Sequence, residues 1–298
     1  MSSTSAIPTV DLRNVPRILA TLSLKGGVGK TSVVLGLAGA AAERGLRVLV
    51  VDLDPQANAT ASLDPLRTPY TTSDVLYDGR TGVAADAVVE SAWSPLVRLV
   101  PSERALEHRA TPSGPDSSRR LRHALEGVTD EYDVVLIDCP PSLGELTRNA
   151  LNAADAALVV TEPSYFAVQG AEQALEAVSV VAKSGNPGLR AAGIVANRVR
   201  PTLPEHVYRM DEMRAAFGDL ILGGLPDRSA VQQAQGACTP VQRWQSNGAA
   251  DICRALDVLH VHLFGDSTRV ETSPVTPRAG ISASDSALRS IPTAMEQR

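Results

Sequence analysis

Two of the three lysines in this chain stand close together in one glycine-rich segment. The 298 residues include Lys25, Lys30 and Lys183 against 25 arginines, and residues 22–32 read LSLKGGVGKTS between two apolar runs. A scarce cation concentrated among glycines makes this loop the first candidate for chemistry.

The loop has the composition of a phosphate-binding turn between a buried strand and a helix. Gly26, Gly27 and Gly29 permit backbone angles and a close approach that other residues would obstruct. Backbone N–H groups of such a turn point at one anion, beside a helix N-terminus whose dipole also favours negative charge. Lys30 would contact terminal phosphates, and the Thr31 hydroxyl would bind Mg²⁺.

The segment departs from the strict phosphate-loop pattern G-x-x-x-x-G-K-[ST], because Leu24 stands at the first glycine position. A dinucleotide-binding turn is an alternative, since GVGKTS has the form G-x-G-x-x-S and Asp52 follows about 20 residues later, as a ribose-binding acid would. Two features count against it: Ser32 replaces the third glycine, and the Lys30–Thr31 pair has no task in that scheme.

Three acidic residues end apolar runs that are typical of buried strands. Asp52 and Asp54 end the run RVLVVDLD, and Asp138 ends VVLID. The carboxyl ends of the strands in an open α/β sheet lie at one edge, where ligands bind. We therefore expect these carboxylates beside the glycine loop.

Apolar runs alternate with helix-length segments along most of the chain. This pattern predicts an α/β fold, a mostly parallel twisted sheet with helices on both faces. The predicted strands are 17–24, 47–54, 96–102, 132–141, 156–164, 191–199 and 220–226, and the predicted helices are 31–45, 117–128, 166–183, 204–218 and 249–264.

Composition and charge indicate the domain organisation, the binding partners and the cellular compartment of the protein. We expect a flexible leader at 1–16, one domain at 17–264, and a disordered Ser/Thr/Pro-rich tail at 265–298. The formal net charge of −5 gives no global attraction to nucleic acid, so such binding needs a local basic face. Three widely spaced cysteines without a CxxC pair indicate a reduced, cytoplasmic protein.

The segment KGGVGKTS resembles the deviant Walker A motif of the ParA/MinD class of P-loop ATPases. The resemblance implies ATP and Mg²⁺ as ligands and a homodimer around two ATP molecules, with Lys25 reaching the ATP of the partner. Both lysines would then meet phosphate, with a small charged tip that a narrow cradle accepts. The implied nucleotide-binding residues of the loop are Lys25, Gly26, Gly27, Val28, Gly29, Lys30, Thr31 and Ser32.

Further segments resemble other motifs of this class in the same order. VDLDPQAN resembles the second phosphate-side motif, in which Asp54 positions or activates the attacking water and Asp52 supports the Mg²⁺ shell. VVLIDCPPS matches the Walker B position, where Asp138 would hold Mg²⁺ through water. The implied metal set is Thr31, Asp52 and Asp138, and the implied catalytic set is Lys25, Lys30 and Asp54.

Two later segments, IVANRV and LPDRSAVQQAQGACTPV, resemble the adenine-side segments of the family. By this resemblance Asn197 would hydrogen-bond the base, and backbone around Pro226 would line it.

The segment DPQAN resembles ParA rather than MinD, and we expect no N-terminal helix-turn-helix domain, since about 16 residues precede the first predicted strand. The resemblance is therefore closest to short chromosomal-type, Soj-like partition ATPases. It implies nonspecific binding of double-stranded DNA by the ATP-bound dimer and release when a ParB-like adaptor stimulates hydrolysis. We expect a cytoplasmic, nucleoid-associated protein without membrane docking, because the tail lacks a basic apolar stripe.

The DNA contact is expected on arginines of the outer dimer face, chiefly Arg198, Arg200, Arg228 and Arg243, with Arg209 and Arg214 as further candidates. Segment 198–243 holds six arginines against five acids. It departs from the family at Ala230, where a second arginine is expected, so the basic cluster SRRLRH at 118–123 is an alternative surface.

Three other functions stay open besides the dinucleotide enzyme. A ParA-like ATPase that positions another cargo would use the same chemistry. A MinD-like division regulator would bind membrane, and an iron–sulfur reductase would need paired cluster cysteines, for which Cys139 has no suitably spaced mate.

Overall fold

The computed structural model describes residues 17–266, so the predicted leader at 1–16 and residues 267–298 of the predicted tail lie outside the described residues. An eight-stranded sheet has the order β3-β4-β2-β5-β1-β6-β7-β8. Its strands are β1 (Ile18–Leu22), β2 (Val48–Asp52), β3 (Val89–Glu90), β4 (Val97–Val100), β5 (Val134–Asp138), β6 (Ala156–Thr161), β7 (Arg190–Val199) and β8 (Ile221–Pro226).

The sheet is parallel except for the short pair of β3 with β4. The predicted fold class is thus confirmed, and each of the seven predicted strands is present, six with shorter bounds and β7 one residue longer than predicted. The strand β3 was not predicted, because two residues carry no readable periodicity.

The described chain contains ten α-helices, of which the last two follow the final strand. They are α1 (Lys30–Glu43), α2 (Asn58–Leu63), α3 (Thr72–Asp78), α4 (Ala84–Ala87), α5 (Arg120–Leu125), α6 (Glu145–Ala153), α7 (Ala167–Ser184), α8 (Pro204–Phe217), α9 (Ser229–Gly236) and α10 (Asn247–Phe264). The predicted helix at 117–128 is shorter than expected, because a 3₁₀ turn over Ser117–Arg119 precedes α5.

Alternating residues of the central strands pack into two separate cores. In β2, Val48 and Val50 join the core that contains α1 and α10, whereas Leu49 and Val51 join the core that contains α5, α6 and α7. Successive strand side chains point to opposite faces, so a sheet buried on both sides needs a continuous apolar run. This explains why the central strands β2 and β5 are almost uniformly Val, Leu and Ile.

The register of the central strands brings the acidic strand ends together. Asp138 at the end of β5 is opposite Thr21 of β1 on one side and Asp52 of β2 on the other. The glycine loop begins directly after β1, so it lies at the same edge. Within residues 17–266, no helix is both long and apolar enough to cross a bilayer.

Candidate nucleotide-binding site

The glycine loop connects β1 to α1 in the conformation that its glycines allow. Gly27 and Gly29 have φ angles of 81° and 85°, in the left-handed region that side chains disfavour. A Cβ atom at Gly29 would lie 2.3 Å from Nδ2 of Asn197. That amide donates a hydrogen bond of 2.8 Å to the carbonyl oxygen of Val28, so it holds the loop directly.

Asn197 therefore lies against the loop in this structure, with its Nδ2 committed to Val28. Its predicted contact with a base stays a prediction. Pro226 ends β8 beside Val199 and is not among the residues that line the cavity described below.

Lys30 and Thr31 open α1 at the floor of the site. Only 6% of Lys30 is exposed, so its charge is held close to the loop. The Thr31 hydroxyl donates a hydrogen bond of 2.6 Å to Oδ2 of Asp138. The strand register explains this contact, because β5 is the immediate neighbour of β1.

Asp138 is fully buried, and its Oδ1 has no hydrogen-bond partner among the described residues. Burial raises the pKa of this carboxyl, and the nearby charge of Asp52 raises it further. A divalent cation would supply the missing partner and favour the ionised form. The donor set of one hydroxyl and one carboxylate fits Mg²⁺, which prefers oxygen ligands and usually keeps waters and substrate phosphates as the rest of its shell.

Asp52 is also fully buried, and both of its oxygens accept hydrogen bonds from the chain. Oδ1 accepts from the backbone N–H of Asp54 at 3.1 Å, and Oδ2 accepts from Thr60, from its N–H at 2.8 Å and its hydroxyl at 2.7 Å. Burial raises the pKa of Asp52. In this structure Asp52 orders the segment 54–60, and its support of a metal shell stays a prediction.

Asp54 lies at the edge of an open cavity of about 580 Å³, together with the loop glycines, Lys30 and Thr31. Its Oδ1 accepts a hydrogen bond of 2.9 Å from the backbone N–H of Gln56, and its carbonyl oxygen accepts one of 2.7 Å from the Ser102 hydroxyl. These contacts fix the carboxylate at the rim of the cavity.

The far wall of the cavity includes Gln235, Gly236 and Cys238, at and just after the end of α9. The hydroxyl of Ser32 donates to Oε1 of Gln235 at 3.2 Å, which ties this wall to the loop. Sequence reasoning identified the segment but named only Pro226 of it for nucleotide binding, because a single glutamine or cysteine carries no motif of its own.

Lys25 does not line the cavity of Lys30. Its side chain is 59% exposed, and its Nζ lies 2.6 Å from Oε1 of Glu162, a residue that sequence reasoning did not single out. The lysine borders a second cavity of about 390 Å³, which Phe166 and Gln169 also line. Lys25 is therefore free of the phosphate site within its own chain, and its predicted reach across a dimer stays a prediction.

The four main arginine candidates for DNA contact all have partners within the chain. Arg198 donates to the carbonyl oxygen of Gly27 at 2.7 Å. Ion pairs or hydrogen bonds hold the other three, namely Arg200 with Asp227, Arg228 with Asp251, and Arg243 with Glu43 and the carbonyl oxygen of Trp93. Paired guanidinium groups contribute less net positive charge to a surface, so the structure does not single out this set as a basic face.

The further candidates, Arg209 and Arg214, also form ion pairs within the chain. Arg209 has a side chain only 13% exposed, held by Glu205 and Glu212 and stacked between the rings of Tyr165 and Tyr208. Its place as an outer-face DNA contact is thus disfavoured by burial. In the alternative cluster, Arg119, Arg122 and His123 line a groove of about 600 Å³ around α5.

The strand, glycine loop and helix place a buried lysine and a threonine hydroxyl in one cavity, and a strand-end aspartate contacts that hydroxyl. This arrangement defines a P-loop nucleotide-binding protein. A family model described as an AAA domain matches residues 16–191. The chain is 38% identical over 237 residues to the chromosome partitioning protein ParA of Caulobacter vibrioides, covering 76% of this chain and 87% of that protein. It is 33% identical over 209 residues to the sporulation initiation inhibitor protein Soj of Bacillus subtilis, covering 69% and 81%.

Among solved structures, cobyrinic acid a,c-diamide synthase from Mycobacterium smegmatis, with bound ATP analogue and magnesium, is similar at a TM-score of 0.67 and 28% identity, covering 87% of this chain and 100% of that one. The chain belongs to the ParA family of P-loop ATPases.

Proposed function

We propose that this protein is a Mg²⁺-dependent ATPase of the partition type, which forms a dimer around two ATP molecules and binds DNA in that state. The observation that carries the proposal is the pairing of Thr31 with the buried Asp138, one oxygen of which lacks a partner among the described residues, beside Lys30 at the floor of a cavity of about 580 Å³. Two of the proteins named above support it: ParA of Caulobacter vibrioides is a chromosome partitioning protein by name, and the Mycobacterium smegmatis enzyme holds an ATP analogue and magnesium.

In the proposed reaction, water attacks the γ-phosphorus of ATP, and the bond from that phosphorus to the β–γ bridging oxygen breaks to leave ADP and phosphate. The backbone N–H groups of the glycine loop and the Lys30 ammonium hold the phosphates. Asp54, fixed at the cavity rim by Gln56, orients the attacking water or accepts its proton. Thr31 and, through water, Asp138 would hold Mg²⁺, which would supply positive charge beside the phosphates.

The dimer gives Lys25 its task. We propose that its ammonium contacts the triphosphate of the partner, as a cation that completes the site across the interface. Its exposure and its separation from the cavity of its own chain support this role. The glycine loop of each chain would then hold one lysine for its own nucleotide and lend another.

Dimerisation of this kind makes the affinity for DNA depend on bound ATP. A dimer doubles the number of phosphate-contacting cations, and affinity for DNA falls steeply with each lost ion contact. A ParB-like adaptor would accelerate hydrolysis and so release the protein from the nucleoid, which moves a chromosome or plasmid origin. A ParA-like ATPase that positions another cargo would share every one of these residues.

We also propose that residues 17–264 are the ATPase domain, with 1–16 as leader and 265–298 as tail, and that the protein is cytoplasmic and nucleoid-associated. Limited proteolysis that trims the chain to a stable core ending near 264 would support these limits.

The decisive experiment is co-sedimentation with double-stranded DNA of mixed sequence in ATP, in ADP and without nucleotide. We expect binding only with ATP and a steep decrease with salt. Equal binding with ADP would refute the switch. Sedimentation with anionic liposomes instead of DNA would indicate the MinD-like function, and thermal stabilisation by NAD but not ATP would indicate the dinucleotide enzyme.

A further inference from the structure

Glu162 lies between two cations at the edge of the glycine loop. It follows β6 directly, and the two neighbours of β6 in the sheet are β1 and β7. Strand β1 leads into the loop with Lys25, and β7 carries Arg198 near its end. Because these strands are parallel, their carboxyl ends converge, and one side chain between them can reach both cations.

The carboxylate of Glu162 contacts both neighbours. Its Oε1 lies 2.6 Å from Nζ of Lys25, and its Oε2 lies 4.0 Å from Nη1 of Arg198. The same Arg198 nitrogen donates to the carbonyl oxygen of Gly27, in the middle of the loop. Glu162 therefore ties Lys25 to a group that also holds the loop in place.

We propose that Glu162 is a brake on assembly, which holds Lys25 within its own chain and competes with the partner's triphosphate for the ammonium. The inference rests on the proposed function, because Lys25 acts across an interface only if the ATP dimer forms. Two effects oppose assembly. The carboxylate neutralises the charge that would attract the partner's phosphates, and its own negative charge repels them as they approach.

The brake is expected to be weak enough for ATP to release it. The side chains of Lys25 and Glu162 are 59% and 24% exposed, and surface ion pairs of this kind shift an equilibrium by about 1.5- to 5-fold. A symmetric dimer must break the pair in both chains, so the two factors multiply. Removing the acid should therefore lower the dissociation constant of the ATP-bound dimer by about 2- to 25-fold.

The test compares Glu162→Gln with wild type by analytical ultracentrifugation over a range of protein concentrations with a non-hydrolysable ATP analogue. The glutamine keeps the size and shape of the side chain and removes its charge. Glu172→Gln is the matched control, since it makes the same change at an exposed position of α7. We expect tighter dimerisation for Glu162→Gln alone.

A zero-length carbodiimide crosslink reports on the contact itself, independently of assembly. The reagent joins amines to carboxylates in direct contact, and the chain offers only three lysines. Mass spectrometry should find a Lys25–Glu162 link in nucleotide-free protein and several-fold less of it with the ATP analogue. A mixture of ¹⁴N- and ¹⁵N-labelled protein identifies the link as one within a chain.

Each outcome decides the inference. Absence of the Lys25–Glu162 link in nucleotide-free protein would overturn it, and so would a Glu162→Gln dimer equal to or weaker than wild type while wild type dimerises. Wild type that stays monomeric while Glu162→Gln dimerises would support a strong brake. If both proteins stayed monomeric although the link formed, the proposed dimer would be refuted, and the brake with it. If wild type dimerised and Glu162→Gln had the same dissociation constant, only the brake would be refuted.

Discussion

Replacing Gly29 with alanine tests how the glycine loop is held. At a φ of 85°, an alanine costs about 1–2 kcal/mol of backbone strain. Its Cβ would lie 2.3 Å from Nδ2 of Asn197, so that side chain must move and lose its hydrogen bond to Val28, which costs about 0.5–1.5 kcal/mol more. The free energy of unfolding should therefore fall by about 1.5–3.5 kcal/mol.

Gly27→Ala is the matched control for this experiment. Its φ of 81° imposes the same kind of strain, but a Cβ there would meet no atom within 4 Å. We expect urea unfolding of the nucleotide-free protein to show a loss of only about 1–2 kcal/mol for this variant. In an Asn197→Ala background, Gly29→Ala should cost no more than Gly27→Ala. Equal losses for the two glycines in the wild-type background would refute the role of Asn197.

Three further predictions follow from the site and the core. Lys30→Ala should abolish ATP binding in calorimetry, whereas Lys25→Ala should bind ATP almost normally and lose dimerisation or hydrolysis. An equal loss of ATP affinity in the two variants would contradict the separate roles of the lysines. Asp54→Ala should stop phosphate release yet keep ATP-dependent DNA co-sedimentation, and loss of both would argue against a role confined to hydrolysis. His260 is buried without a hydrogen-bond partner among the described residues, and burial lowers its pKa from 6.5 to about 4. The unfolded chain then binds the extra proton between these values, so stability should fall by about 2 kcal/mol from pH 7 to pH 5. In urea titrations at both pH values His260→Leu should lose that part of the decrease, and an unchanged decrease would refute it.

Local sequence predicted most of the fold because burial on both faces leaves a strong signature. A strand such as β5 is apolar at every position before its final Asp138, and a helix such as α7 needs a long uninterrupted segment, so both are visible without tertiary information. Short elements lack this signature and were not predicted. Strand β3, helix α4 and the 3₁₀ turns are too brief to show a period.

The nucleotide loop was also readable from the sequence, since GGVGKTS is contiguous and its glycines and lysine act through the backbone of one turn. These features depend on residues adjacent in the chain, whose geometry the local sequence determines.

What only the tertiary structure decided are the contacts between distant segments. The pairing of Thr31 with Asp138 depends on strand order, the grip of Asn197 on the loop depends on where β7 ends, and the partner of Lys25 depends on β6 lying between β1 and β7. A side chain such as Glu162 belongs to no motif, because its contact spans 137 residues of sequence. The sequence alone determines which residues can bind phosphate here. The order of the strands in the sheet determines which acidic and amide side chains contact those residues.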